Sequence, residues 1–283
     1  MCFTSRTRRV LVIFCAALFH FQELCDGHKI PSFVQPPSSS KRKGMKDINI
    51  GKHNYRQERT HLNLRDIKDI ELDQFDFSSK TGWDDFYIQL NEDEVDITTD
   101  HDDKSYKTFE FEWHSSMQHE NIISEIEKHS KVIVVGNGNS RLPREIYDYH
   151  EGEIDITCLD YSQPCVDMMC RLHSKECPRM SFVCGDVTKM NNLFEEKFDV
   201  LVDKGLMDAL MCTEGFEKQV SEYWREAKKI LKADGKIILV AYKVSSSTWE
   251  FLDEIGKELN MEWTEQESKG NGRISFLIGR YKL

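Results

Sequence analysis

Three carboxylates end runs of apolar residues: Asp160 in ITCLDYS, Asp186 in VCGDVT and Asp203 in DVLVDKG. Upstream, KVIVVGNGNS carries a fourth such run into Gly136, Asn137 and Gly138. Short β-branched runs broken by glycine indicate buried strands that turn sharply into helices. Glycine belongs where backbone approaches a ligand or takes torsions that a Cβ forbids. An open α/β sheet holds an adenosine ribose with a glycine turn after one strand and a carboxylate ending the next, about 20 residues on. Asp160 lies 22 residues past Gly138.

The dinucleotide fingerprint is nevertheless incomplete. Its third glycine, which lets helix and strand pack closely beside a pyrophosphate, would fall at position 141, where Arg141 stands. A nucleoside without phosphates fits better, and S-adenosylmethionine is the commonest such ligand. Gly136, Asn137, Gly138, Asp160 and Tyr161 would hold its methionine and ribose portions. Asp186 would receive the adenine amino group, and the Val187 N–H would donate to a ring nitrogen. Each has a plainer alternative: a tight turn for the glycines, a helix N-cap for Asp160, an ordinary turn for Gly185-Asp186.

Asp203 and Lys204 come directly after a buried run, and such charges cost stability unless paired or exposed in a cleft. Asp203 would face the reacting methyl and its acceptor, holding an amine, with Asp208 one helical turn on. The alternative is a structural pair in which Lys204 neutralises Asp203. No Asp/Asn-Pro-Pro-aromatic tetrapeptide comes after this run, which disfavours transfer to the amino group of a base.

The elements that must position these groups alternate. Strand patterns fall at Val132–Val135, Ile154–Leu159, Ser181–Cys184, Phe198–Val202 and Lys236–Tyr242. Helical patterns lie between them at Ser140–Tyr149, Gln163–His173 and Glu217–Leu231, and Ala233-Asp234-Gly235 supplies a turn before the fifth strand. Alternation of this kind predicts parallel strands in a doubly wound sheet. A helix over Ser245–Leu259 then leads to strand patterns at Met261–Glu267 and Ser275–Tyr281 around Lys269-Gly270-Asn271-Gly272, an antiparallel hairpin. The expectation is a seven-stranded, mostly parallel α/β sheet with a C-terminal antiparallel hairpin, the class I methyltransferase (Rossmann-like) arrangement.

The 283 residues carry a net charge of −11, distributed unevenly. Residues 1–65 hold 12 Lys/Arg against 4 Asp/Glu, whereas the remainder is at −19. A domain so acidic repels phosphate backbones and attracts basic protein surfaces or amines, so nucleic acid is not the expected partner. Arg6, Arg8 and Arg9 precede the apolar stretch Val10–Phe21, which is too short to cross a bilayer but suits a signal-peptide core. Residues 1–27 are therefore expected to be a signal peptide. Residues 28–75, basic and rich in proline and serine, should form a linker. The folded domain should occupy 76–283. Such a leader directs a chain to the secretory pathway or a plastid-like organelle, with the cytoplasm as the alternative. No integral membrane segment is expected after its removal. None of the nine cysteines forms CxxC, so no metal site is expected and reduced thiols are. His150 and His173, on helical faces away from the strand ends, should lie at the surface.

GNGNS at 136–140, LDYS at 159–162, GDVT at 185–188 and DKGLMDAL at 203–210 resemble the methyltransferase-like proteins that methylate translation elongation factor one-alpha. So do GWDDFY at 82–87 and FEW at 111–113. The resemblance spans about residues 80 to 283. Two departures stand out: Leu206-Met207 where that family reads Thr-Leu, and an acidic insertion near 91–107. By that resemblance Gly136, Gly138, Asp160, Asp186 and Val187 would bind S-adenosylmethionine. Trp83 and Trp113 would sit near the cofactor or its target, with plain lid packing as the alternative. Asp203, Lys204 and Asp208 are the candidate catalytic residues. The implied activity is transfer of a methyl group to a lysine of a basic protein. The alternatives are a small-molecule methyltransferase, an aminopropyl transferase, or a silent module that scaffolds a partner.

Overall fold

The computed structural model describes residues 74–92, 112–114, 117–213, 215–266 and 274–282. All belong to the second of two units into which the chain divides, Asp73–Leu283. The expected signal peptide and almost all of the linker lie outside the described residues. The acidic insertion does too, from residue 93 on.

Seven strands form one sheet: β1 (Lys131–Val135), β2 (Asp155–Asp160), β3 (Met180–Cys184), β4 (Phe198–Lys204), β5 (Leu231–Tyr242), β6 (Met261–Gln266) and β7 (Ile274–Tyr281), in the order β3-β2-β1-β4-β5-β7-β6. The first five are parallel, while β7 runs antiparallel between β5 and β6. This is the expected class I architecture. The hairpin turn itself falls outside the described residues.

β1 reads as an unbroken apolar run because both its faces are covered. Ile133 and Val135 join the core on one side, Val132 and Val134 the core on the other. The first core is filled from α6 (Phe216–Ile230) and α7 (Ser246–Leu259). On α6, Val220, Tyr223, Trp224, Ala227 and Ile230 recur at helical spacing and are buried. The second core takes Ile122 and Ile123 of α2 (His119–Ile123), and Leu142 and Ile146 of α3 (Leu142–Tyr149). Helix α4 (Gln163–His173) lies between β2 and β3, and α5 (Leu206–Met211) comes directly after β4.

Helix α1 (Lys80–Glu92) precedes the sheet and packs on α4. Its Trp83, Phe86 and Tyr87 form an aromatic cluster with Phe75, Phe77 and Trp113.

Several details differ from expectation. The turn at Ala233-Asp234-Gly235 is an irregularity inside β5: Phe198 pairs with Leu231, but Val200 already pairs with Lys236. His150 and His173 are buried rather than superficial, since their helices pack those faces inward. Cys158, Cys165, Cys170, Cys177 and Cys184 are free thiols, as expected. Among the described residues, no helix is long and apolar enough to cross a membrane.

Trp224 is fully buried, against Tyr223 and edge-on to Trp263 at 5.3 Å. Trp224→Ala is expected to lower the stability of the domain by about 3–5 kcal/mol, read from urea denaturation midpoints.

Candidate functional site

The register aligns the strand tips. Val135 pairs with Leu159 on one side and Asp203 on the other, and Asp160 pairs with Cys184. The carboxyl ends of β1 to β4 therefore form one edge, where open α/β sheets bind ligands. The expected site residues on those strands meet there.

Beyond β1 the chain turns through two left-handed glycines, Gly136 (φ +57°) and Gly138 (φ +50°). A Cβ at Gly136 would come within 2.8 Å of the Leu206 side chain, and one at Gly138 within 2.6 Å of Tyr87 Oη. Both positions thus need glycine for torsion and for space. Asn137 is buried and donates from Nδ2 to the Gly138 carbonyl. Arg141 is right-handed and leads into α3, so the missing third glycine is not required.

Asp160 ends β2 almost wholly buried. Its Oδ2 accepts the Gly138 N–H at 2.9 Å and its Oδ1 the Ser162 N–H at 3.0 Å. Burial raises its pKa despite those donors. With the Tyr161 amide as a third donor, three of the four lone pairs are taken and acceptor capacity for a ribose hydroxyl remains. A glycine cradle facing such an acceptor fits the ribose of S-adenosylmethionine. Beside it, Tyr161 lies under the Lys80 ammonium at 6.0 Å, and Lys80 is paired with Asp84 at 2.6 Å. Buried Tyr87 is a member of the site that its apolar surroundings in the sequence concealed.

At the β3 tip, Asp186 caps a 3-10 turn (Val187–Asn192), with Oδ1 accepting from the Thr188 backbone and hydroxyl. Its Oδ2 pairs with Lys189 at 3.1 Å and is half exposed, and these donors hold the pKa down. Val187 is buried at the start of that turn.

Asp203 is placed differently from the expectation of an amine-facing carboxylate. It is fully buried. Oδ1 accepts the Leu206 N–H at 2.8 Å, while Oδ2 accepts the Met207 N–H and the Tyr223 hydroxyl at 3.2 and 3.0 Å. Burial outweighs those donors and pushes its pKa up to about 7. Its carboxyl fastens α5 to β4 and α6.

Lys204 does not neutralise Asp203, because successive strand residues point to opposite faces. Its ammonium reaches Glu112 at 2.8 Å and the Trp113 carbonyl at 2.7 Å. Glu112 in turn accepts from the Ser140 hydroxyl and the Arg141 N–H and faces His119, which bonds Glu145 at 2.8 Å. This network ties the 112–114 segment to β4, α2 and α3. Its shallow cavity, about 230 Å³, is lined by Glu112, Met117, His119, Glu120 and Glu145, and by none of the strand-tip residues. Trp83 and Trp113 touch at 6.1 Å, and Trp83 donates to the Phe77 carbonyl, so both pack in the aromatic lid.

Asp208 on α5 accepts from His114 Nε2 at 2.8 Å and from the Tyr242 N–H at 3.1 Å. The third candidate catalytic residue thus sits against the 112–114 segment. Nothing in the spacing of residues marked His114. Among the described residues no cluster could hold a metal ion.

Residues 126–277, more than half of the chain, match the family described as methyltransferase domain. The eEF1A lysine and N-terminal methyltransferase of Bos taurus is 33% identical over 118 residues, 41% of this chain and 16% of that protein. Its Mus musculus counterpart is 27% identical over 177 residues, 61% of this chain and 25% of that protein. The chain therefore spans a quarter or less of the length of these curated relatives. Among solved structures, a TehB-like SAM-dependent methyltransferase from Corynebacterium glutamicum is 14% identical with a TM-score of 0.46, covering 72% of this chain and 98% of that one.

The polar network predicts a pH response. Against the pull of desolvation, hydrogen bonds donated to Glu112 and Glu145 raise the His119 pKa to about 9, and those received from His119 and Lys204 lower that of Glu112 to about 2. The His119 contribution is complete below its unfolded value near 6.5 and is lost as pH rises through 9. That of Glu112 is complete above 4.5 and lost as pH falls towards 2. Urea unfolding should show stability falling by on the order of 2 kcal/mol between pH 6 and pH 10, a slope that His119→Gln reduces to the part below about pH 8 that Asp203 contributes.

Proposed function

The chain belongs to the methyltransferase domain family, and from that premise we propose that it methylates a lysine side chain on a basic protein. Methyltransferases of this kind depend on S-adenosyl-L-methionine. The observation that carries the reading is the left-handed Gly136–Gly138 turn facing the buried Asp160 carboxylate, a nucleoside cradle that keeps acceptor capacity.

When bound, the cofactor supplies a methyl group already activated by its sulfonium. The residues of this chain need only orient and enclose. Asp160 grips the ribose hydroxyls by charge-assisted bonds. Asp186 and Val187 border the adenine. The lid of Trp83, Tyr87 and Trp113 covers the edge, and aromatic faces beside a sulfonium or ammonium gain about 0.5–2 kcal/mol. Aligning two bound reactants can contribute about 7–11 kcal/mol. A lysine acceptor is supported by the net charge of −19 beyond residue 65 and by relatives whose names specify amine acceptors on eEF1A. The leader at 1–27, with the basic stretch behind it, is proposed to direct the chain to the secretory pathway or an organelle.

Asp160→Ala should weaken S-adenosylmethionine binding about 100-fold by titration calorimetry, roughly the 2–3 kcal/mol of charge-assisted bonds lost, while circular dichroism stays unchanged. Incubation of the enzyme and tritiated cofactor with purified eEF1A should place label on lysine. Label confined to small molecules would refute the protein acceptor. A fusion of residues 1–70 to a fluorescent protein should leave the cytosol, and diffuse signal would refute the leader.

A further inference from the structure

His114 is buried to 2% exposure in a left-handed conformation (φ +57°) that non-glycine residues rarely adopt. Its ring stands edge-on to Tyr242 at the end of β5, with centroids 4.6 Å apart. A Cβ on Gly205, just past the β4 tip, would lie 3.3 Å from its Nε2. That nitrogen is 2.8 Å from Asp208 Oδ2, whereas Nδ1 is buried with no partner among the described residues.

Strain and an orphaned polar atom in one residue are costly, and both fall where β4 and β5 end. The Asp208 bond also decides which nitrogen is available. With Nε2–H donating to the carboxylate, Nδ1 carries the lone pair, the arrangement of a carboxylate-oriented base. The titratable groups around the ring are Asp208 from α5, Tyr242 from β5 and, across the Trp113 carbonyl, Lys204 of β4 with Glu112. Asp203 and Asp208 interact as like charges.

We infer that His114 accepts the proton of the acceptor amine through Nδ1, held in register by Asp208. The inference rests on the amine-acceptor reading above. One N–H bond of the substrate ammonium breaks as its proton passes to Nδ1, and Asp208 stabilises the resulting imidazolium. The freed lone pair forms the N–C bond as the methyl–sulfur bond breaks, its electron pair remaining on sulfur. The products are a methylated ammonium and a thioether, and the imidazolium returns its proton to water. Each cycle thus releases one proton.

His114→Gln separates this role from a structural one. A glutamine amide reaches the Nε2 position and keeps the donation to Asp208, but places nothing at Nδ1. The variant should bind S-adenosylhomocysteine as the wild type does by calorimetry. Its kcat on eEF1A should fall 10²–10⁴-fold, with KM changed less than threefold and the acidic limb of the pH–kcat profile lost. In the wild type, the ¹⁵N resonance of His114 Nδ1 should shift when N-acetyl-lysine is added to the S-adenosylhomocysteine complex. A variant with kcat within threefold of wild type and an unchanged pH profile would overturn the inference. If the variant does not fold, an Nδ1 resonance that ignores the amine overturns it instead. Wild-type enzyme that labels no amine defeats the amine reading and this inference together, whereas labelled lysine with an unimpaired variant defeats the inference alone.

Discussion

The hydrogen bond from the Gly138 amide to Asp160 is the constraint on which the site depends. It joins the turn after β1 to the tip of β2, fixing the glycine loop at the height of a carboxylate that is itself nearly dry. Two positive φ values, a buried charge and a close Tyr87 hydroxyl meet there, and each is unfavourable alone. The parallel register of β1 and β2, held by the apolar runs beneath, keeps them together. A buried carboxylate retaining acceptor capacity binds hydroxyls strongly because no water competes for it.

A second constraint closes the edge from above. The 112–114 segment is held by Glu112 on the Lys204 ammonium, the Ser140 hydroxyl and the Arg141 amide. Two stretches far apart in sequence, the end of β4 and the start of α3, thereby share one carboxylate. Such a network is strong only while every member is satisfied, which makes it a sensitive place for charge changes. Trp113 and His114 take their positions from it.

Most of the sheet was legible, since β-branched runs of four to seven residues with glycine or carboxylate punctuation define buried parallel strands with little ambiguity. Gln163–His173 even coincides with α4 at both ends. Asp160 and the glycine pair were legible because spacing along one βαβ unit is local information. Tyr87 and His114 were not, since their significance arises from contacts with Gly138 and Asp208 roughly 50 and 94 positions away. The bulge at 232–235 was hidden for a related reason: a turn-like tripeptide is tolerated inside a strand when the neighbouring strand skips register around it.

Asp160 and Asp203 show why position at a strand tip does not by itself assign a role. Both end buried parallel strands, and both are raised in pKa by desolvation. Asp160 accepts backbone amides alone, from Gly138, Ser162 and Tyr161. Asp203 receives the Leu206 and Met207 amides and the Tyr223 hydroxyl, which tie it to two helices. The difference lies in the turn that leaves each strand. After β4, Gly205 at φ +90° folds α5 back so that its first amides point into Asp203. The tight turn makes the Asp203 carboxyl a tie between β4, α5 and α6, while Asp208, on the first turn of α5, faces His114 and the Tyr242 amide instead.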